Sequence, residues 1–194
     1  MTVGALILAA GLSRRMGTNK LLADLNGTPV VAHTCRAADA AGLPMLVVTG
    51  HEAERVSAAL PTGTQTIFAP DYAEGMGASL AAGIRALPDG WDAAVVMLGD
   101  MPLVPPRLLE RLAKTVTAES IAVPVRAGRQ GNPAAWGRRF FPELAALTDD
   151  RGGKALLRRH EDAITAVEAG TDAIFMDADT PEALAAIRKA AGAA

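Results

Sequence analysis

The sequence predicts an α/β fold: a mostly parallel sheet with helices on both faces, in a three-layer α/β/α arrangement. Three observations predict it. Short apolar runs alternate with stretches patterned as helices, the rhythm of right-handed βαβ crossovers. Runs such as Ala93–Leu98 are apolar throughout, as strands buried on both faces must be. The chain has 194 residues, half of them hydrophobic, which suffices for a sizeable core. Because only 4% are aromatic, that core has to be built from Ala, Val, Leu and Ile.

In order along the chain, Ala5–Ala9 reads as a buried strand leading into a polar loop. The Gly27-Thr28-Pro29 turn opens a helix over Val30–Ala40, and Met45–Thr49 is the next strand. A helix over Glu52–Leu60 stops at Pro61. Thr66–Phe68 is a short strand, and Ala78–Leu87 a helix ended before Pro88. The strand Ala93–Leu98 precedes a helix from about Pro106 to Thr115.

After residue 120 the rhythm changes. Ile121–Val125, Asn132–Trp136 and Ile164–Val167 read as strands, with Arg126–Gly131 as a loop or hairpin. Helices are expected over Gly153–His160 and Pro181–Ala191. The expectation is a single domain over residues 1–194: a doubly wound core first, then a mixed region covering its open edge.

Composition excludes several functions. The lone cysteine, Cys35, can form no internal disulfide and cannot by itself build a zinc finger or an iron–sulfur site. Lys and Arg number 19 against 21 Asp and Glu, a net charge of −2, whereas general nucleic-acid binding shows as a basic excess. No apolar run approaches the ~18 residues of a membrane span. Arg14 and Arg15 follow the first apolar run instead of preceding it, the wrong order for a signal peptide. A cytoplasmic protein with neither nucleic-acid nor membrane partners is expected.

The loop after the first strand carries the most chemistry. Ligands of open α/β sheets sit at the carboxyl ends of strands. The small residues Ala9, Ala10 and Gly11 let the backbone approach a ligand and present N–H groups to an anion. Arg15 and Lys20 add positive charge suited to a polyphosphate. The spacing matches neither the Gly-x-x-x-x-Gly-Lys-Ser/Thr loop nor Gly-x-Gly-x-x-Gly. A glycine-rich turn with solvated cations is the alternative.

Asp100, in Gly99-Asp100-Met101-Pro102, ends a strand where a carboxylate can hold Mg²⁺ against phosphate oxygens; a plain turn aspartate is the alternative. In Met176-Asp177-Ala178-Asp179-Thr180-Pro181-Glu182, Asp179 or Thr180 can cap a helix opened by Pro181. Gly75 and Ser79 precede or begin a helix whose first-turn N–H groups could meet a base or a phosphate. His33, His51 and His160 fall in no nucleophile–base pattern.

The string Leu8-Ala9-Ala10-Gly11-Leu12-Ser13-Arg14-Arg15-Met16-Gly17-Thr18-Asn19-Lys20-Leu21-Leu22 resembles the LAAGxSxRMGxxKLL signature of the nucleotidyltransferase superfamily, in its molybdenum-cofactor branch. The resemblance continues in order through Gly-Asp-Met-Pro and Asp-Thr-Pro to about Glu182. It implies a Rossmann-like, glycosyltransferase-A-like nucleotidyltransferase fold and transfer of a nucleotidyl group from an NTP to a phosphorylated acceptor. By it, Leu8, Ala9, Ala10, Gly11 and Ser13 wrap the nucleotide, Arg15 and Lys20 hold its phosphates, and Asp100 and Asp179 bind Mg²⁺, with Asp177 the weaker candidate. Arg15, Lys20 and Asp100 are the implied catalytic residues, while Gly75 and Ser79 lie at the nucleotide. Gly77 stands where the family usually has serine.

On the acceptor side, Arg129 and Asn132 fall in a stretch resembling RxGNP. Lys154 falls in Asp149-Asp150-Arg151-Gly152-Gly153-Lys154-Ala155-Leu156-Leu157, similar to GDxGARxLL. Asp149 replaces the usual glycine there, and Gly153-Lys154 the usual Ala-Arg. Lysine keeps the charge of arginine without its planar fork. Ala10, Gly-Asp-Met-Pro and Asn19 before Lys20 look like the cytidylyltransferase branch, whereas the guanylyltransferase branch reads LAGG, with aspartate before the lysine. The implied substrates are CTP (or GTP) and the molybdopterin cofactor, with a molybdoenzyme as possible recipient. A sugar- or polyol-phosphate nucleotidyltransferase and a non-catalytic cofactor chaperone are the alternatives.

Overall fold

The computed structural model describes residues 1–13, 16–148 and 152–192. In chain order its strands and helices are β1 (Val3–Ala9), β2 (Asp24–Leu25), β3 (Thr28–Pro29), α1 (Val30–Ala40), β4 (Met45–Thr49), α2 (Ala53–Ala58), β5 (Gln65–Phe68), α3 (Met76–Arg85), β6 (Ala93–Leu98) and α4 (Pro106–Thr115). These are followed by β7 (Ile121–Arg126), β8 (Arg129–Gln130), β9 (Ala134–Gly137), α5 (Phe141–Ala145), α6 (Lys154–Arg159), β10 (Ile164–Glu168) and α7 (Pro181–Ala191). Among the described residues, no helix is long and apolar enough to cross a membrane.

The main sheet runs β10-β7-β9-β6-β1-β4-β5, with β8 paired to β7. Strand β1 sits between β4 and β6, parallel to both, and β4 continues in parallel to β5. The period of two in β1 divides its side chains between two cores. Ala5, Ile7 and Ala9 pack with Val31 and Cys35 of α1 and Leu108, Leu109 and Leu112 of α4. Leu6, Leu8 and the following Ala10 pack on the opposite face with Leu80 and Ile84 of α3 and Leu144 and Leu156 of α5 and α6. The α/β class and the mostly parallel sheet are therefore as the sequence predicts.

The second half of the chain lies along the edge strand β6 of this parallel core and extends the same sheet as a mixed region. Strand β9 inserts antiparallel between β6 and β7, and β10 lies parallel to β7. Asn132, expected in a strand, precedes β9, and its N–H donates to the Ile174 carbonyl at 3.0 Å. The ribbon of β2 and β3 and the short α5 were not expected; one turn of helix or two paired residues leave too short a periodic pattern to read. Helix α7 packs against that ribbon through Leu184 and Ile187, which meet Leu25 and Val30.

Gly137 allows β9 to close against the 117–120 turn. A Cβ there would lie 2.3 Å from the Thr117 carbonyl oxygen and 2.4 Å from that of Ala118, both backbone atoms. Gly137→Ala is expected to destabilise the fold by about 1–3 kcal/mol through overpacking, read as a lower urea midpoint at unchanged slope.

Helices α5 and α6 are clipped together by Glu143. One carboxylate oxygen accepts from Arg159 Nη1 at 2.9 Å, and the other lies 2.9 Å from His160 Nε2. Partial burial pushes the Glu143 pKa up, but Arg159 and His160 outweigh it and hold the group below its ordinary value of 4.5. A carboxyl whose pKa is depressed by folding stabilises above its unfolded value and loses that contribution as pH falls through the folded one. Glu143→Gln is therefore expected to lower the Tm near pH 7, and the gap to wild type is expected to close below pH 4.5.

Candidate active site

A cleft of about 580 Å³ opens at the carboxyl ends of β1 and β6. Leu8, Ala10, Gly11, Leu12 and Ser13 form one wall where β1 passes into the first loop. Ser13 turns the chain there with φ +50°, and its Oγ accepts from the Lys20 N–H at 3.1 Å, so the loop returns on itself and delivers Lys20 to the cleft. Asn19 Oδ1 accepts from the Leu21 N–H at 3.1 Å and caps the short 3₁₀ turn that carries Lys20.

Asp100 comes from the end of β6. The Gly99 N–H donates to the Leu8 carbonyl at 2.9 Å, extending the β1–β6 pairing, and Thr34 Oγ1 of α1 donates to the Gly99 carbonyl at 3.1 Å. The Ala178 N–H donates to the Asp100 carbonyl at 3.0 Å, which ties the segment bearing Asp179 to the strand bearing Asp100. Thr180 Oγ1, not Asp179, caps α7 by accepting from the Ala183 N–H at 3.2 Å. The Asp179 carboxylate points instead to the cleft.

These three segments converge on one ion-pair cluster. Lys20 Nζ donates to both Asp100 Oδ2 and Asp179 Oδ1. Burial opposes the charge on Lys20, but Asp100 and Asp179 outweigh it and hold its pKa above the ordinary lysine value. Asp177 also lines the cleft. Burial raises its pKa, and the charges of Asp179 and Asp100 raise it further.

The donor set fits a hard divalent cation. Two carboxylates face one point, and the lysine ammonium already stands there as their positive partner. The second oxygen of Asp100, Oδ1, is buried without a hydrogen-bond partner among the described residues. No group of three or more His, Cys, Asp or Glu side chains suited to a metal occurs among them. One or two carboxylates together with phosphates and water suffice to hold such an ion.

Of the residues predicted from sequence, Leu8, Ala10, Gly11, Ser13, Lys20, Gly75, Ser79, Asp100, Asn132, Lys154 and Asp179 all line this cleft. Gly75 takes φ +136° just before α3, and Ser79 is buried in that helix's first turn. Two predicted residues lie elsewhere. Ala9 sends its side chain into the opposite core, as strand alternation requires. Arg129 lies on the β7–β8 hairpin with its guanidinium 4.6 Å from the centre of the Phe175 ring. Arg15 lies outside the described residues, as do Asp149, Asp150 and Arg151.

Sequence reasoning missed Tyr72, Met76, Val96, Leu98, Ala134, Trp136 and Leu157, which also line the cleft. For Val96 and Leu98 a signal existed. They alternate with Met97 in β6 and so share the face of Leu8 and Ala10.

Comparison with known proteins adds to this geometry. A family model described as a MobA-like NTP transferase domain matches residues 5–164. A solved nucleotidyl transferase from Methanothermobacter superposes with a TM-score of 0.86 at 28% identity, covering 97% of this chain and 96% of that one. Rv0371c from Mycobacterium tuberculosis H37Rv gives a TM-score of 0.86 at 30% identity, over 97% of this chain and 98% of its own. A complex of Rv0371c with manganese gives 0.82 at 27% identity, over 97% and 99%. The bifunctional protein GlmU of Geobacter metallireducens is 35% identical over 165 residues, 77% of this chain and 34% of that protein. The GlmU of Rubrobacter xylanophilus is 30% identical over 161 residues, 80% of this chain and likewise 34% of the relative, so this chain spans about a third of each.

Proposed function

Because the chain belongs to the MobA-like NTP transferase domain family, and is by that membership a nucleotidyltransferase, we propose that it transfers CMP from CTP to the molybdopterin form of the molybdenum cofactor, acting in the cytoplasm with Mg²⁺. The observation that carries nucleotidyl transfer is the meeting of Lys20 with Asp100 and Asp179 at the mouth of a loop built to approach an anion. The choice of CTP rests on Ala10, on Gly99-Asp100-Met101-Pro102 and on Asn19 before Lys20.

In this reading an oxygen of the acceptor phosphate bonds to the α-phosphorus of CTP as the bond to the pyrophosphate oxygen breaks, and pyrophosphate leaves with that electron pair. The first loop presents backbone N–H groups to the phosphates, and Lys20 supplies positive charge to them. Asp100 and Asp179 would hold Mg²⁺, which when bound neutralises charge gathering on the phosphates. The nucleophile is already an anion, so no general base is required. In this reading Asn132 and Lys154, which both line the cleft, serve the acceptor: Lys154 can meet an acceptor phosphate, and the dinucleotide product could pass to a molybdoenzyme.

The test is a thermal-shift titration with CTP, GTP, ATP and UTP, each with and without Mg²⁺, followed by pyrophosphate release with the molybdopterin cofactor as acceptor. A Mg²⁺-dependent rise in Tm largest for CTP is expected. A preference for GTP would move the enzyme to guanylyl transfer. Absence of any shift would favour a cofactor chaperone.

A further inference from the structure

We propose that Trp136 selects the acceptor, and that Gly153 selects it with Trp136 because a bare backbone at 153 is what lets the indole reach the cleft. The inference rests on the assignment of this end of the cleft to the acceptor. Trp136 lies on β9, edge-on to Phe140 with ring centres 6.1 Å apart, and it lines the cleft together with Gly153 at the start of α6. A Cβ on residue 153 would sit 2.8 Å from Cζ2 of the indole and 3.4 Å from Cη2. The first contact lies on a rigid ring, itself buried and held by Phe140, so a side chain at 153 and the present position of Trp136 exclude each other. Gly153 has φ −72°, which any residue can adopt, so backbone conformation does not require the glycine; the space taken by the indole does.

The surroundings define what this end can accept. Val96, Leu98, Ala134 and Leu157 line it beside the indole. Asn132 and Lys154 bring polar side chains to the same cleft. A hexose phosphate would bury several hydroxyls against carbon, and a hydroxyl left without a partner is penalised strongly. A flat heteroaromatic body with few hydroxyls and one phosphate suits the same walls: its faces meet carbon, Asn132 can serve its ring edge, and Lys154 its phosphate. Trp136, only 2% exposed, thus backs this wall with carbon and withholds partners, and the bare Gly153 leaves the room the indole needs there.

The chain has two tryptophans, and the other, Trp91, packs over Gly4 at the amino end of β1, remote from the cleft. In a Trp91→Phe background, Trp136 fluorescence is titrated with 6-hydroxymethylpterin monophosphate and, separately, glucose 1-phosphate. Both titrations contain Mg²⁺ and a non-hydrolysable CTP analogue, whose own affinity is measured by calorimetry. Saturable quenching by the pterin phosphate is expected, with glucose 1-phosphate at least about tenfold weaker. Gly153→Ala is expected to weaken the pterin phosphate about tenfold or more while leaving the affinity for the analogue unchanged. Since Gly153→Ala could disturb folding, Trp136→Phe in the otherwise wild-type chain is the second variant. Followed by calorimetry, it is expected to narrow the preference between the two phosphates.

Equal or tighter binding of glucose 1-phosphate would overturn the proposal. So would affinities for the pterin phosphate within about twofold of wild type in both variants, the result for a tryptophan that only fills the core. Normal binding of the analogue without pterin quenching defeats this inference alone. Quenching without binding of the analogue defeats the nucleotide reading and leaves this one standing.

Discussion

Asp100→Asn is expected to suppress turnover by roughly 100- to 1,000-fold while changing nucleotide affinity far less, the scale seen when one charge-stabilising group is lost from a transition state. The asparagine keeps the volume of the side chain and an oxygen that can face Lys20, so the buried position stays filled. What disappears is a negative charge in the one carboxylate that has an oxygen buried and unpartnered among the described residues. A ground-state contact to the nucleotide would show in Kd. A group needed as charge moves from the α-phosphorus to the leaving pyrophosphate shows in the chemical step. Single-turnover pyrophosphate release at saturating CTP, beside a calorimetric Kd for the non-hydrolysable analogue, separates the two. Wild-type turnover in Asp100→Asn would sink the assignment of Asp100 to the cation.

Much of the first half of the fold was legible because local signals there agree with one another. Helix α1, strands β4 and β6, and helices α4 and α7 have the expected bounds, each an apolar run or helical pattern cut by Gly, Pro or a cap. Strand order beyond residue 120 was not legible. Whether β9 runs beside β6 or packs across the sheet edge depends on pairings some 40 residues apart in sequence, and a single strand's pattern carries no record of its partner. The site divides the same way. Lys20, Asp100 and Asp179 stand out by residue type at strand ends and caps, whereas Trp136 and Leu157 read as ordinary core. Only the fold brings them, one from β9 and one from α6, to the wall of the cleft. Arg129 shows the converse, since a cation in a hairpin carries no sign that Phe175 will lie beneath it.

Lys20→Ala is expected to act in two opposite directions, and the pair of effects tests the cluster more sharply than either alone. With nucleotide, loss of a charge-assisted contact to phosphate is worth about 1.5–3 kcal/mol, which corresponds to roughly a 10- to 150-fold weaker Kd for CTP. Without nucleotide, the same change removes the ammonium between Asp100 and Asp179 and leaves their carboxylates facing each other. Like charges brought together in a partly buried site repel, so the Tm of the metal-free protein is expected to fall. The vacated point then suits a hard cation better than before, since no protein charge must be displaced to admit one. Mn²⁺ added without nucleotide is therefore expected to bind Lys20→Ala more tightly than wild type, measured by electron paramagnetic resonance of the free ion, and to restore much of the lost Tm through linkage. Wild type is expected to show the reverse order, with weak Mn²⁺ binding alone and tighter binding once phosphates give Lys20 another partner. Equal Mn²⁺ affinity in the two proteins would mean that the ammonium and the cation occupy different places, and the two carboxylates would then be a structural ion pair.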